Sequence, residues 1–357
     1  MNLIDLAERR WIPDALIRAG IRRLLKRRVR EDSRLTGADV TRQTEQFVSQ
    51  LRESPLAIAT DAANDQHYEV PAEFFATGLG PKLKYSCCLY ETPEATLAEA
   101  EEAMLRLTCE RAGLADGQQI LELGCGWGSL SLWMAEHYPN SQITAVPNSH
   151  SQREFIEHAC ARRGLENLQV ITADMRDFEI EEQFDRVVSV EMFEHMRNYE
   201  ELLHRVSRWL KPNGKLFVHI FCRRELPYIF EIEGADNWMG RHFFTGGIMP
   251  SLELFTHFAD DLAVAESWTV NGEHYARTCD AWLNRVDSQR ANLESLFASH
   301  AGRFEARRML QRWRIFFMAC AELFRFADGK EWFVAHYLLE PARDYSQVEV
   351  AAEPSAV

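Results

Sequence analysis

The 357-residue sequence contains no apolar run approaching the roughly 20 residues that a membrane-spanning helix needs, and no secretory leader is visible in it. A cytoplasmic location is therefore expected. The eight cysteines, at 87, 88, 109, 125, 160, 222, 279 and 320, include no C-x-x-C pair, so reduced, core-filling thiols are expected and a zinc site is not. Overall positive charge is lacking as well: 54 acidic against 40 basic residues give a net charge of −14, which argues against nucleic acid as a partner. Internal repeats and low-complexity tracts are absent. What remains, at 46% hydrophobic and 26% charged residues, is the composition of a soluble globular protein of one elaborated domain or two.

The scarce positive charge is concentrated at one end. Residues 1–30 hold nine Arg or Lys against Asp5, Glu8 and Asp14, about +6, which leaves about −20 to the rest of the chain. Leu3, Leu6, Trp11, Leu16, Ile17, Leu24 and Leu25 recur there at helical intervals. They predict two or three short amphipathic helices, interrupted at Pro13 and Gly20, whose basic face suits an anionic membrane surface or partner, or a helical lid or dimer arm. A further helix is expected over Thr41 to Leu51.

The chain is organised around QILELGCGWGSL, Gln119 to Leu130. A short apolar run gives way to Gly124, Gly126 and Gly128 and then to a helical pattern. Glycines there allow positive φ and let a ligand lie against the main chain, where the N–H groups of the next helix face it. The pattern is G-x-G-x-G, and the second strand, QITAV, ends in Pro147, Asn148 and Ser149 without a carboxylate. Both features count against NAD.

From that loop onward strands and helices alternate through QILEL, QITAV, LQVIT, FDRVVSV and KLFVHIF, which implies a parallel sheet with helices on both faces and a ligand outside the carboxyl ends of the strands. WFVAHYLLE is expected as a closing strand. The expected division is an N-terminal helical arm (1–60), a nucleotide-binding core preceded by a cover segment containing His67, Tyr68, Tyr85 and Tyr90 (61–222), a substrate cap with helices (223–326), the closing strand (327–340) and a disordered tail (341–357).

At the strand ends, Asn148 and Gln152 can hydrogen-bond ribose or amino-acid groups, and Asp174 can accept from an exocyclic amine with Met175 beside the ring. The fourth strand ends in EMFEHM. If this stretch turns helically, Glu191, Glu194 and His195 share a face, and burial with mutual repulsion pushes one carboxyl towards neutral pH, where it can take a proton.

These residues resemble a known family. ELGCGWG, NSHSQ, Asp174 and the strand order are similar to class I S-adenosylmethionine-dependent methyltransferases. HYEVPAEFF, YSCCLY, EMFEHM and GEHYARTCDAWL resemble the cyclopropane-fatty-acyl-phospholipid synthase family over nearly all of residues 64–337, and NDQHYEVP, EEAMLRLTCERA and DGKEWFVAHYL resemble its coclaurine N-methyltransferase branch. The resemblance implies an α/β, Rossmann-like class I methyltransferase fold, with a seven-stranded, mostly parallel sheet, N-terminal helices and a mainly helical cap. It implies S-adenosylmethionine as cofactor, cradled by Tyr85, Ser86, Gly124, Gly126, Asn148, Gln152, Asp174 and Met175. Glu191, Glu194 and His195 would be the acid/base and ammonium-binding group for a small cyclic amine bearing an aromatic ring. The alternative it implies is cyclopropanation or C-methylation of unsaturated fatty acyl chains on a membrane phospholipid, with bicarbonate held by Cys87, Glu194, His219 and Tyr275. Glu191, where lipid-acting members carry a small residue, would crowd that anion. Homodimerisation stays open.

Overall fold

A computed structural model describes residues 3–58, 70–234 and 237–342. His67 and Tyr68 of the expected cover segment, and the tail from residue 343, lie outside the described residues. The N-terminal region forms α1 (Leu3–Glu8), α2 (Asp14–Asp32) and α3 (Gly37–Glu53). Pro13, which lacks an N–H to leave unpaired, stands at the start of α2, and Thr36 caps α3 through a reciprocal box with Asp39. Gly20 does not interrupt α2 as the sequence suggests. Ion pairs fasten that stretch of helix from outside: Arg18 reaches Asp280 at 2.7 Å and Glu322 at 2.9 Å, and Arg22 reaches Glu322 at 3.0 Å. No described helix is long and apolar enough to cross a membrane.

After α4 (Ala72–Gly78) and α5 (Leu97–Arg111, capped by Thr96 with Glu99) comes the sheet. Its first five strands are β1 (Gln119–Leu123), β2 (Gln142–Val146), β3 (Leu168–Val170), β4 (Phe184–Val190) and β5 (Leu210–Arg223). They alternate with α6 (Ser129–His137), α7 (His150–Arg163) and α8 (Tyr199–Trp209) and run parallel in the order β3-β2-β1-β4-β5. Helices cover both faces, so Ile120, Leu121, Val187 and Val188 are buried on either side of the sheet and read as apolar runs. The strand order reverses between β1 and β4, which opens a crevice at their carboxyl ends.

Two antiparallel strands complete the sheet, β9 (Trp332–Pro341) beside β5 and β8 (Leu262–Val270) outside it. β8 falls inside the range expected to be cap. Its middle residues, Ala265 to Ser267, are exposed, so this edge strand carries no apolar signal to mark it. The cap itself consists of β6 (Tyr228–Ile229), α9 (Trp238–His242), β7 (Ile248–Met249), α10 (Gly272–Ser288), α11 (Arg290–Ala301) and α12 (Arg303–Gly329), whose last turn breaks at Phe326 to Asp328. The expected arm is divided between two cores. Ile17 of α2 packs with Trp282, Trp313 and Phe317 of the cap, whereas Phe47, Val48 and Leu51 of α3 pack with Leu202, Leu203 and Val206 of α8.

Candidate active site

Gly124, Gly126 and Gly128 have φ of 74°, 53° and 77°. A Cβ at Gly124 would stand 2.6 Å from Cγ of Met192, whereas one at Gly126 would meet nothing within 4 Å. The loop thus packs on one side and leaves its other side open. Two adjoining cavities meet there, both bordered by Gly124, Gly126 and His195. The larger, about 990 Å³ including its open mouth, is lined by Tyr85, Ser86, Glu191, Trp127, Phe221, Phe244 and Trp282 among others. The smaller, about 650 Å³, is lined by Asn148, Gln152, Asp174 and Met175. All eight residues that the sequence associates with the cofactor therefore border one cavity or the other. Gln152 is buried and its Nε2 has no partner. A buried amide donor left unmade is costly, and the cavity it borders would hold the group that pairs with it. An adenosine-bearing ligand with hydroxyls and a charged amino-acid end fits this donor set. Asp174, expected to meet an adenine amine, accepts from the Arg176 backbone N–H and pairs with its guanidinium at 2.8 Å.

Three parts of the chain converge on Glu191. The segment before α5 is pinned by Glu101, which is fully buried and accepts from the N–H groups of Lys82 at 2.9 Å and Lys84 at 3.2 Å. Farther along it, Cys88 N–H donates to Thr278 at 3.1 Å and Tyr90 N–H to Nδ1 of His274 at 3.1 Å, both on α10. Between these anchors Cys87 N–H donates to Oε1 of Glu191 at 3.0 Å. Tyr275, also on α10, donates its hydroxyl to Oε2, and Nε2 of His219 on β5 lies 3.3 Å from Oε1. Burial raises the Glu191 carboxyl to about 7, against the lowering effects of the Tyr275 hydroxyl, the Lys84 charge and the Cys87 N–H.

Glu191, Glu194 and His195 do not share a helical face. Glu191 has a φ of 49°, and the helical turn begins only at Phe193. Glu191 and His195 border the larger cavity, whereas Glu194 lines neither cavity. Its side chain is fully buried, Oε1 accepts from Phe221 N–H at 3.2 Å and Oε2 has no partner. Burial and the neighbouring Glu191 push its carboxyl well above the usual range, which favours its neutral form. His195 lies at the junction of the cavities with its ring parallel to Phe244, centroids 6.0 Å apart.

Of the set implied for bicarbonate, Cys87, Glu194, His219 and Tyr275, only Tyr275 borders the larger cavity. Cys87, His219 and Tyr275 all turn towards the carboxylate of Glu191. The Cys87 thiol, pushed far up by burial, donates to Cys88 O at 3.3 Å. All eight cysteines are buried and unpaired. Lys84, buried beside the larger cavity with its ammonium on Ser86, was not foreseen from sequence, where nothing distinguishes it from the neighbouring Lys82.

Residues 58–331 match the model of the mycolic acid cyclopropane synthetase family. The chain is 38% identical over 344 residues, 95% of either chain, to (S)-coclaurine N-methyltransferase of Thalictrum flavum subsp. glaucum. A more distant likeness, 28% over 319 residues, joins 89% of this chain to 75% of the cyclopropane-fatty-acyl-phospholipid synthase of Escherichia coli K12. Among solved structures, coclaurine N-methyltransferase bound to N-methylheliamine and S-adenosylhomocysteine superposes with a TM-score of 0.92 at 37% identity, covering 95% of this chain and 98% of the other. With this strand order, glycine loop and set of relatives, the chain belongs to the mycolic acid cyclopropane synthetase family and is an S-adenosylmethionine-dependent methyltransferase.

Proposed function

We propose that the protein methylates the nitrogen of a small cyclic amine bearing an aromatic ring, and that Glu191 and His195 form its acid/base and ammonium-binding group. The carrying observation is the hub at Glu191: the donors that would hold a small anion in a lipid-modifying relative hold a carboxylate of the chain itself. A fixed carboxylate at that point attracts a cation. The coclaurine N-methyltransferases that the chain resembles act on amines by name, which supports the same reading.

Bound in the crevice, S-adenosylmethionine supplies an electrophilic methyl group on a sulfonium. The residues assigned to hold it are Tyr85, Ser86, Gly124, Gly126, Asn148, Gln152, Asp174 and Met175, all of which line the paired cavities. The chain's share of the reaction is to align the nitrogen, exclude water and take a proton. An amine is nucleophilic only when neutral, and it reaches the site as an ammonium ion. Ionised Glu191 draws that ion in and, with a pKa near 7, accepts its proton near neutral pH. Phe221, Phe244, Trp282 and Phe316 wall the larger cavity, an aromatic lining that attracts a cation and keeps water away. Glu194 holds the Phe221 backbone.

Labelled S-adenosylmethionine, offered with 1,2,3,4-tetrahydroisoquinoline and separately with vesicles of unsaturated phospholipid, tests this reading. Label is expected in the amine. Label entering only the lipid would overturn the proposal and favour acyl-chain modification.

A further inference from the structure

The hydrogen bonds behind Glu191 continue across the sheet. His219 on β5 is the register partner of His336 on β9, and His336 is the partner of Trp268 on β8. Both histidines are fully buried. Nδ1 of His219 lies 2.9 Å from Nε2 of His336, and Nδ1 of His336 lies 2.8 Å from Nη1 of Arg111. Arg111 is the last residue of α5, half-buried over the Trp268 ring at 5.1 Å from its centroid. The row thus runs from the active-site carboxylate to a guanidinium at a helix C-terminus, where the helix dipole favours a cation.

A guanidinium can only donate. With Arg111 at one end, Nδ1 of His336 must accept, so its Nε2 bears the hydrogen and donates to Nδ1 of His219. His219 is then left with its hydrogen on Nε2, directed at Oε1 of Glu191. We infer that Arg111, acting through His336, fixes the tautomer of His219 and thereby holds Glu191 as a hydrogen-bond acceptor. Arg111 and His336 are positioning residues. Burial, joined by the charges of Lys84 and Arg111 and, for His336, by the neighbouring His219, pushes both imidazoles well below the usual range, so the row keeps its polarity across physiological pH. The other titratable groups acting on Glu191 are Lys84, Tyr275, Cys87, Cys88 and Glu194; around His336, Phe217 and Trp268 contribute none. A second consequence follows from the direction of the bonds. His219 offers Glu191 no lone pair, so a proton taken up by Glu191 leaves through the cavity and not along this row.

The kinetic readout rests on the amine reading above; the spectroscopic one does not. In Arg111→Met both histidines are free to invert, and a lone pair facing Glu191 favours its protonated form. The acid limb of kcat/KM for the amine should then move up by about one pH unit, roughly a ten-fold loss below the limb and little at pH 9. Arg111→Lys, still an obligate donor, should keep the original limb, with S-adenosylhomocysteine affinity unaltered in both variants. An unmoved limb in Arg111→Met, or equal movement in both variants, overturns the inference. In the unsubstituted protein with S-adenosylhomocysteine, ¹⁵N-histidine NMR should show His219 and His336 as neutral Nε2–H tautomers. Nδ1–H or imidazolium at either position refutes the inference even if no amine is methylated or if Arg111→Met does not fold.

Discussion

Replacing Glu191 by Gln tests the chemistry at its centre with little steric disturbance. The amide retains one oxygen, which can stay on the Cys87 N–H and His219, now 3.0 and 3.3 Å from Oε1. Its NH₂ then meets Tyr275, whose hydroxyl can rotate from donor to acceptor, so the hub keeps its bonds and the fold should survive. What disappears is the charge that holds an ammonium ion and the lone pair that takes its proton. Loss of a positioned base removes about 10²–10³ in rate, equivalent to about 3–4 kcal/mol of transition-state stabilisation. The assay is initial-rate methylation of tetrahydroisoquinoline between pH 5.5 and 9, with S-adenosylhomocysteine binding measured by calorimetry. In the unsubstituted enzyme kcat/KM should rise with unit slope and level off near pH 7, where the carboxyl titrates. Glu191→Gln should lack that limb and bind S-adenosylhomocysteine within about two-fold of the parent. A variant keeping more than about a tenth of the rate, or the same limb, would mean that another group takes the proton.

Two further outcomes follow from buried polar atoms. Gln152→Met removes the unpartnered Nε2 donor and should weaken S-adenosylhomocysteine binding about five- to ten-fold while the ligand-free Tm shifts by no more than about 2 °C; a large loss of Tm with unchanged affinity would make the residue purely structural. Glu122, fully buried against Ser131, has its carboxyl raised from 4.5 to about 7 by burial, so its stabilising contribution is complete below pH 4.5 and is lost as pH rises through 7. Glu122→Gln, which never ionises, should therefore be more stable than the parent at pH 8, by up to about 3 kcal/mol, with the advantage shrinking towards pH 4.5. Calorimetric scans of the ligand-free protein that show no pH-dependent difference would refute this.

The fold was legible where its determinants are local. Apolar strands buried on both faces and the glycine triplet each announce themselves within a dozen residues, whereas the helix expected over Thr41 to Leu51 starts a turn earlier, at the Thr36 cap. β8 does not announce itself, because an edge strand with an exposed middle lacks both a continuous apolar run and clean alternation. The continuity of α2 through Gly20 depends on Asp280 and Glu322, some 260 and 300 residues away. The site divides in the same way. Its lining residues were readable from strand ends and from family resemblance, including the expectation that Glu191 would crowd an anion. Its geometry was not, since it turns on a positive φ at a glutamate and on the cross-strand pairing of His219 with His336. Neither has a local signature. Glu194 likewise carried the residue type of an exposed helix start, yet tertiary packing sealed it beneath Phe221.

The position of β9 has a consequence for how the protein is made. This strand is inserted between β5 and β8, so until residues 332–341 have left the ribosome β5 pairs only with β4 and β8 has no partner in the sheet. A nascent chain that ends earlier leaves one edge of β5 open and β8 unpaired, the kind of surface that recruits chaperones or seeds aggregates. Frameshifts and stops that remove residues 332–341 should thus be as damaging as those in the glycine loop, and synthesis of β9 sets when the sheet behind the methyl-transfer site is first complete.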